Sequence, residues 1–391
     1  MSLPYKTFRV SSLLQRPISL ERRNAMVANG YSTVGDLHRT VDGKDWSAIW
    51  SEFQSTLEIL NTQRTAVARL FTANTTNPAD WVEQSVGDTE FEEASEFGVP
   101  KSVRVSPSLM QMGYPFRWWD ARKGFTWRFL AEVESGQLEA IHSAVLEADN
   151  RLVFRHVLGA LLTKTTVLTR PVNENNVPVY SLWDGEADAT PPSYAGKSFA
   201  AGHDHYATTN GAFEAVDLDY LIRNVTEHGY GADFGSQIVI LAHPDDADII
   251  TTFRAGQVAA DGGKAANDFI PAANTPAFLS DQVIIGDRAP SSYEGLKVLG
   301  SYGEAYIVTS NWVPLGYVTA VASGGTHAPL AFREHATPNL RGLQLIPGDN
   351  NSYPLQDSYY VRAFGVGVRH RGAAAVLQIT EAAEYTSPSI F

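Results

Sequence analysis

The chain contains no cysteine, which excludes disulfides, a thiol nucleophile and cysteine metal sites. Extra stability has to come from packing or assembly. Basic charge is also short: 30 Lys and Arg stand against 43 Asp and Glu, a net of −13 at pH 7. Wrapping nucleic acid needs a positive surface, so that class is excluded, although an acidic wall can stand beside DNA without gripping it. No apolar run reaches membrane-spanning length, and the opening MSLPYKTFRVSSLL has no continuous apolar core of the signal-peptide kind. A cytosolic protein with no membrane contact is expected. The GxSxG, GxxxxGK[ST] and HExxH signatures are missing. No nucleophile, base and orienting partner assemble in the sequence, so no catalytic or cofactor-binding residue is assigned and the chain does not read as an enzyme.

What is present is length and one long helical pattern. The 391 residues suffice for two or three domains with a buried core. From Glu134 to about Thr163 no proline occurs, and Leu138, Ile141, Val145, Ala148 and Leu152 recur at steps of three and four. Beyond Leu152 the apolar side widens through Val153, Val157, Leu158, Leu161 and Leu162, while Glu139, Glu147, Asp149, Arg151 and Arg155 mark the wet face. This predicts a rod roughly 40–45 Å long, a spine laid across a flat subunit.

Residues 1–45 read as an arm broken by Pro4, Pro17, Gly30, Gly35 and Gly43. Lys6, Arg9, Arg16, Arg22, Arg23 and Arg39 outnumber Glu21 and Asp36, so the arm either stays loose or lies on something acidic. A core-facing helix is predicted from Trp46 to Phe71, stopped by Asn74 and Pro78. Asp80, Glu83, Asp88, Glu90, Glu92, Glu93 and Glu96 then form an acidic run free of Lys and Arg. An aromatic stretch follows, with Asp120–Gly124 (DARKG) as the turn of a hairpin and Phe125, Trp127, Phe129, Ala131 and Val133 alternating as a strand. Such a hairpin is marginal alone and should rest on another surface, its own or a neighbour's.

After a long loop at 174–198, Asp217 is expected to cap a helix to His228, with Gly229 as its stop. Strands are expected at QIVIL (237–241), QVIIG (282–286), LKVLG (296–300), EAYIVTS (304–310) and GYVTAVA (316–322), and His243-Pro244-Asp245-Asp246 opens a helix between the first two. The region 168–328 is thus α/β or α+β. At the C-terminal end, 358–370 and 373–380 read as a hairpin turning at Arg371-Gly372, with 328–335 as a third strand under the spine.

Two short patterns touch on chemistry. His203-Asp204-His205 resembles half of a zinc site, with His243, Asp245 and Asp246 as the nearest further ligands. A loop of hydrogen-bonded histidines accounts for it better, so no metal residue is assigned. The glycine runs GYGADFG (229–235) and GVGVRHRG (365–372) have the wrong order or spacing for phosphate loops. They read as a helix end and part of a hairpin, with Arg369, His370 and Arg371 in a solvated turn or subunit contact rather than an anion site.

The order of these parts resembles the major capsid proteins of tailed bacteriophages with the Hong Kong 97-like fold. The stretches HDHYATTNGAFEAVDLDYLIRNVTEHGYG, IVILAHPDDADIITTF, SNWVPLGYVTAVASGG, LAFREHATPNLRGLQLIPG and YPLQDSYYVRAFGVGVRHRGAAAVLQIT are similar to capsid proteins of phages infecting actinobacteria. The resemblance runs from about 46 to 382. It implies an α+β fold with an N-terminal arm (1–45), an N-terminal helix region (46–78), an extended E-loop hairpin (79–131), a spine helix (134–163), a peripheral domain (131–167 and 329–385) and an axial domain (168–328). It further implies self-assembly as pentamers and hexamers into an icosahedral head around double-stranded DNA, without sequence-specific binding. A separate scaffolding protein, a portal, and a maturation protease or decoration proteins are the implied partners. The virion, assembled in the host cytoplasm, is the implied location. Some members cross-link an E-loop lysine to a neighbour's asparagine; Lys101, Lys123 and Asn339 lie in the corresponding regions, but no local motif matches. An encapsulin-like compartment, or remotely a metal-dependent hydrolase on His203, His205 and His243, are the alternatives.

Overall fold

In the computed structural model, residues 39–390 are described apart from 63–65, 86–97, 99–107, 187–188, 233–234, 274–283, 285, 326 and 348–354. Most of the arm, the later part of the acidic run, Lys101 and most of QVIIG lie outside the described residues.

The long helix forms as its periodicity demands: α4 runs Ser135–Leu162, 28 residues and about 42 Å. Its N-terminus takes no cap from Glu134. Instead the Asp42 carboxylate accepts hydrogen bonds from the Ser135 backbone N–H (3.3 Å) and hydroxyl (2.5 Å). Residues 39–45 are thereby tied to the start of the rod, also through Val41 N–H to Val133 O (3.1 Å). The stripe itself differs from expectation. Ala148 is exposed, whereas His142 and Asp149 are buried. Asp149 was expected on the wet face; it turns inward because Arg362, from a strand beneath, forms an ion pair with it.

Ahead of the rod, α1 (Trp46–Thr62) buries Trp46, Ile49, Trp50, Phe53 and Leu57 as predicted. The predicted helix to Phe71 is instead two pieces, with α2 at Ala66–Phe71. It passes straight into β1 (Thr72–Thr75), which pairs parallel with β12 (Leu330–Glu334). Asn74 is therefore a strand residue, not a helix stop.

Two sheets make the body. In the first, β14 (Leu355–Val368) is the shared strand: β4 (Arg117–Thr126) pairs along 355–364, β13 (Leu343–Pro347) along 358–362 and β12 along 364–368. DARKG lies inside β4, paired residue for residue with Asp357–Val361, so the expected turn does not exist. A long partner strand supplies every ladder bond, and that outweighs local turn preference. The expected strand after it is the short helix α3 (Trp127–Glu132), because the Thr126 side chain accepts the Phe129 N–H and caps it.

The second sheet has the order β5 (Tyr206–Thr208), β15 (Ala374–Gln378), β11 (Tyr317–Ser323), β6 (Gln237–Ala242), β10 (Ala305–Thr309), β9 (Leu296–Tyr302) and β7 (Phe269–Pro271), with β8 (Ser292–Tyr293) on β9. The continuous apolar run of β6 fits its central place, buried on both faces. Helix α5 (Ala215–Thr226) starts three residues before expectation: Glu214 rather than Asp217 is the cap residue, and Asp217 completes a capping box. His243 caps the short α6 (Pro244–Ile250), as the sequence suggested. The C-terminal hairpin is not one: β14 and β15 belong to different sheets, and residues 369–373 carry the chain between them.

The apolar end of α4 packs with Phe332 and Phe364 of the first sheet and with Val239, Val321 and Val376 of the second. Opposite, α5 covers the other face of the second sheet through Leu218, Leu221 and Val225. The first half of α4, α1 and β13 close a third cluster. There His142 stacks on Phe53 (4.0 Å between ring centroids) and shares a 2.8 Å hydrogen bond with the Tyr360 hydroxyl. Burial pushes His142 down to about 4 from its usual 6.5. Between those values the unfolded chain binds a proton that the folded chain refuses, so stability is intact above pH 6.5 and falls toward pH 4. Urea midpoints should drop by the equivalent of about 1–2 kcal/mol at pH 5 on account of this group, and His142→Phe should flatten that part of the slope.

Candidate functional site

Helix α5 ends at Glu227 (C-cap), and His228 follows just before Gly229, whose φ of 87° closes the helix. Ahead of β5, Asp204 forms an isolated bridge with Asp184, and the chain turns on either side of it. His203 and His205 point to His228, while Asp204 points away: its carboxylate takes the Tyr206 N–H (2.9 Å) and pairs with the Lys164 ammonium. The three Nε2 atoms lie 3.2 Å (His203 to His205), 2.9 Å (His203 to His228) and 3.0 Å (His205 to His228) apart. The ring centroids are 4.8–5.1 Å apart, so the rings converge tip first.

Neighbouring groups fix this arrangement. His205 Nδ1–H donates to Ala374 O (2.6 Å), which leaves the lone pair on Nε2. The His205 backbone bonds Trp183 O and Val376 N, and Asn224 Nδ2 of α5 donates to Asp204 O (3.1 Å). The Phe199 ring stacks on His228 at 4.0 Å. Burial drives His205 down to about 3, opposed in part by its carbonyl bond; burial and the adjoining imidazoles push His228 lower still. Burial also lowers His203. All three are neutral at ordinary pH.

Alongside lies a buried ionic knot. Arg371 is fully buried: Nε donates to Ser181 O (3.0 Å), one terminal nitrogen to Leu182 O (3.2 Å) and to Asp184 (3.0 Å), and the guanidinium lies over the Trp183 ring at 4.2 Å. Arg170 reaches the same Asp184 carboxylate (3.1 Å). Gln84 accepts the Arg371 N–H (2.8 Å) and donates to Arg369 O (2.9 Å).

The outer surface carries apolar groups a lone subunit has no use for. The two-stranded β2 (Ala79–Glu83) and β3 (Leu109–Gly113) bury Val82 and Met112 on one face. The other face shows Trp81 at 65% and Leu109 at 43% exposure. Trp81 pairs with Gln111, so Leu109 is its diagonal neighbour on that face. On the first sheet, Ile346 and Tyr359 are cross-strand partners and both exposed, with Trp118 on β4 exposed as well.

A structure from Mycobacterium phage Patience is 38% identical over 90% of this chain and 93% of its own, at a TM-score of 0.67. The chain belongs to the major capsid proteins of tailed bacteriophages. The mixed helix and sheet architecture matches the Hong Kong 97-like capsid fold. Fainter likenesses to the bacteriophage PhiM1 mature capsid (9% identical, 81% of this chain and 87% of that one, TM-score 0.46) and to the holo-SrpI encapsulin complex of Synechococcus elongatus (13%, 86% and 98%, 0.43) carry no argument at that level. No protein-family model and no curated protein matches.

In this capsid protein the sequence-predicted positions scatter. His243 does not join His203 and His205; its Nδ1 accepts the Asp245 N–H at 3.2 Å, and Asp246 accepts the Gly316 N–H at 2.8 Å, both as helix-start residues. The residue that joins is His228, more than twenty positions away in sequence, whose only local sign was its place before the helix-ending glycine. His370 and Arg371 are neither solvated nor at a subunit surface but buried within the capsid protein's own core. Lys123 lies in β4 and Asn339 in an exposed 3₁₀ turn.

Proposed function

We propose that this capsid protein assembles as pentamers and hexamers into the icosahedral head of a tailed phage, enclosing double-stranded DNA. The near-full-length 38% identity to the Mycobacterium phage Patience structure carries the reading. The exposed Trp81, Leu109, Ile346, Tyr359 and Trp118 support it, because a shell subunit needs apolar patches that its copies cover. On this reading the arm is 1–45, the E-loop lies within 79–131 with β2 and β3 as its base, the spine is α4, and the peripheral and axial domains are built on the first and second sheets. The net charge of −13 suits a wall that must let DNA move past it. The role is structural, not catalytic. Scaffolding, portal, and protease or decoration proteins would be its partners, and the host cytoplasm its place of assembly.

Negative-stain electron microscopy with sedimentation velocity tests this. Uniform icosahedral shells, or free pentamers and hexamers, are the expected result. A monomer or dimer that stays so with a scaffolding protein added would overturn it, and shells purified with an enzyme cargo would favour the encapsulin alternative.

A further inference from the structure

The three histidine nitrogens pose a problem that hydrogen bonding cannot solve. A ring nitrogen carries either a hydrogen or a lone pair. Among three mutually adjacent Nε2 atoms, at least two must therefore be alike. Two hydrogens would collide and two lone pairs would repel, at contacts of 2.9–3.2 Å. Protonating a ring only adds a hydrogen to the triangle. Since His205 donates through Nδ1 to Ala374 O, its Nε2 is already committed as a lone pair. A cation over the triangle uses all three lone pairs at once.

The dimensions fit a small first-row ion. Three imidazole nitrogens about 2.0–2.1 Å from a tetrahedral zinc stand roughly 3.3–3.4 Å from one another, a few tenths wider than the sides seen here. All three donors are neutral imidazoles, which favour zinc, copper, nickel or cobalt over calcium or magnesium. The outer partners of a metal site are in place too, in the carbonyl bond of His205 and the Phe199 ring against His228. A cavity of about 290 Å³, walled also by Lys197, Tyr220 and Glu227, opens on His203 and brings solvent to that corner of the triangle.

We propose that His203, His205 and His228 bind one zinc ion per chain through their Nε2 atoms, with solvent as the fourth ligand, and that the ion clips the 199–205 loop to the end of α5. The consequence is structural. The loop leads into β5, an edge strand of only three residues, and the histidines tie it to the end of α5. The inference rests on this geometry and does not depend on how the subunits assemble.

Elemental analysis of the purified full-length protein, dialysed after expression with added zinc, should find about one zinc per chain. Zinc-free protein titrated with Co²⁺ should develop the intense visible bands of a tetrahedral cobalt site, which equimolar Zn²⁺ erases. His203→Ala, at the least buried of the three, should lose more than nine-tenths of the metal and the cobalt bands while keeping its far-UV spectrum. Removing zinc with a chelator should lower the melting temperature of the native protein and leave that of His203→Ala unmoved. Native protein that retains no zinc and gives no cobalt bands would overturn the proposal, whatever the variant does. So would a folded His203→Ala that keeps its full zinc.

Discussion

Asp184→Ala should cost the subunit about 3–5 kcal/mol, the penalty for breaking a buried ion pair by removing one partner. Asp184 has almost no solvent exposure, and two guanidiniums, Arg170 at 3.1 Å and Arg371 at 3.0 Å, converge on it. Without the carboxylate, two positive charges face each other out of water. Arg371 cannot swing away, because Nε and a terminal nitrogen are bonded to the Ser181 and Leu182 carbonyls. Arg371→Lys should also destabilise, since an ammonium cannot reproduce the fork that serves two carbonyls and a carboxylate. The reading is the urea midpoint of the soluble subunit or, if none is recovered, the soluble fraction on expression. A loss under about 1 kcal/mol for Asp184→Ala would mean the site is wetter than its burial implies.

Gly365→Ala should be similarly severe for a different reason. A Cβ on Gly365 would lie 1.8 Å from the carbonyl oxygen of Pro115, where the chain between β3 and β4 crosses β14. Backbone cannot yield as a side chain can, so the variant must part β14 from that crossing. A cost of about 3 kcal/mol or more is expected, at the upper end of overpacking effects. Gly367→Ala meets Tyr114 at 3.0 Å and Gly113 O at 3.3 Å, and should cost less. Gly136→Ala, with open space around it in the first turn of α4, serves as the control and should be neutral or slightly stabilising. Thermal or urea unfolding of the three variants ranks them, and equal midpoints for Gly365→Ala and Gly136→Ala would refute the crossing argument.

These two sites show what the sequence could and could not convey. The α4 rod was legible because its stripe repeats for eight turns, and so were β6, β9, β10 and β11, each an apolar run with turn residues at its ends. The spacing of Gly365 and Gly367 was visible, but its cause was not, since it lies in residues 113–116. DARKG reads locally as a turn and becomes strand because residues 357–361, more than two hundred positions later, pair with it. The same blindness hid Asp149, turned inward by Arg362, and His228, brought to His203 and His205 by the way α5 lies on the sheet. In each case a long-range partner overrode the local pattern. The apparent C-terminal hairpin failed likewise: Arg371-Gly372 has turn chemistry, yet Arg371 is an anchor, and the chain leaves it for the other sheet.

The pairing of β4 with β14 also sets a timetable. Arg117–Thr126 leaves the ribosome more than two hundred residues before Leu355–Val368, and β1 waits slightly longer for β12. At translation speeds of about 5–20 residues per second, a nascent chain spends roughly ten to fifty seconds with a ten-residue strand edge unpaired and the apolar side of α4 uncovered. Edges of that kind template aggregation between chains, and a polysome carries many such chains close together. Production of this subunit is therefore paced by β14, and a ribosome stall anywhere between Thr126 and Leu355 prolongs the exposure of the β4 edge.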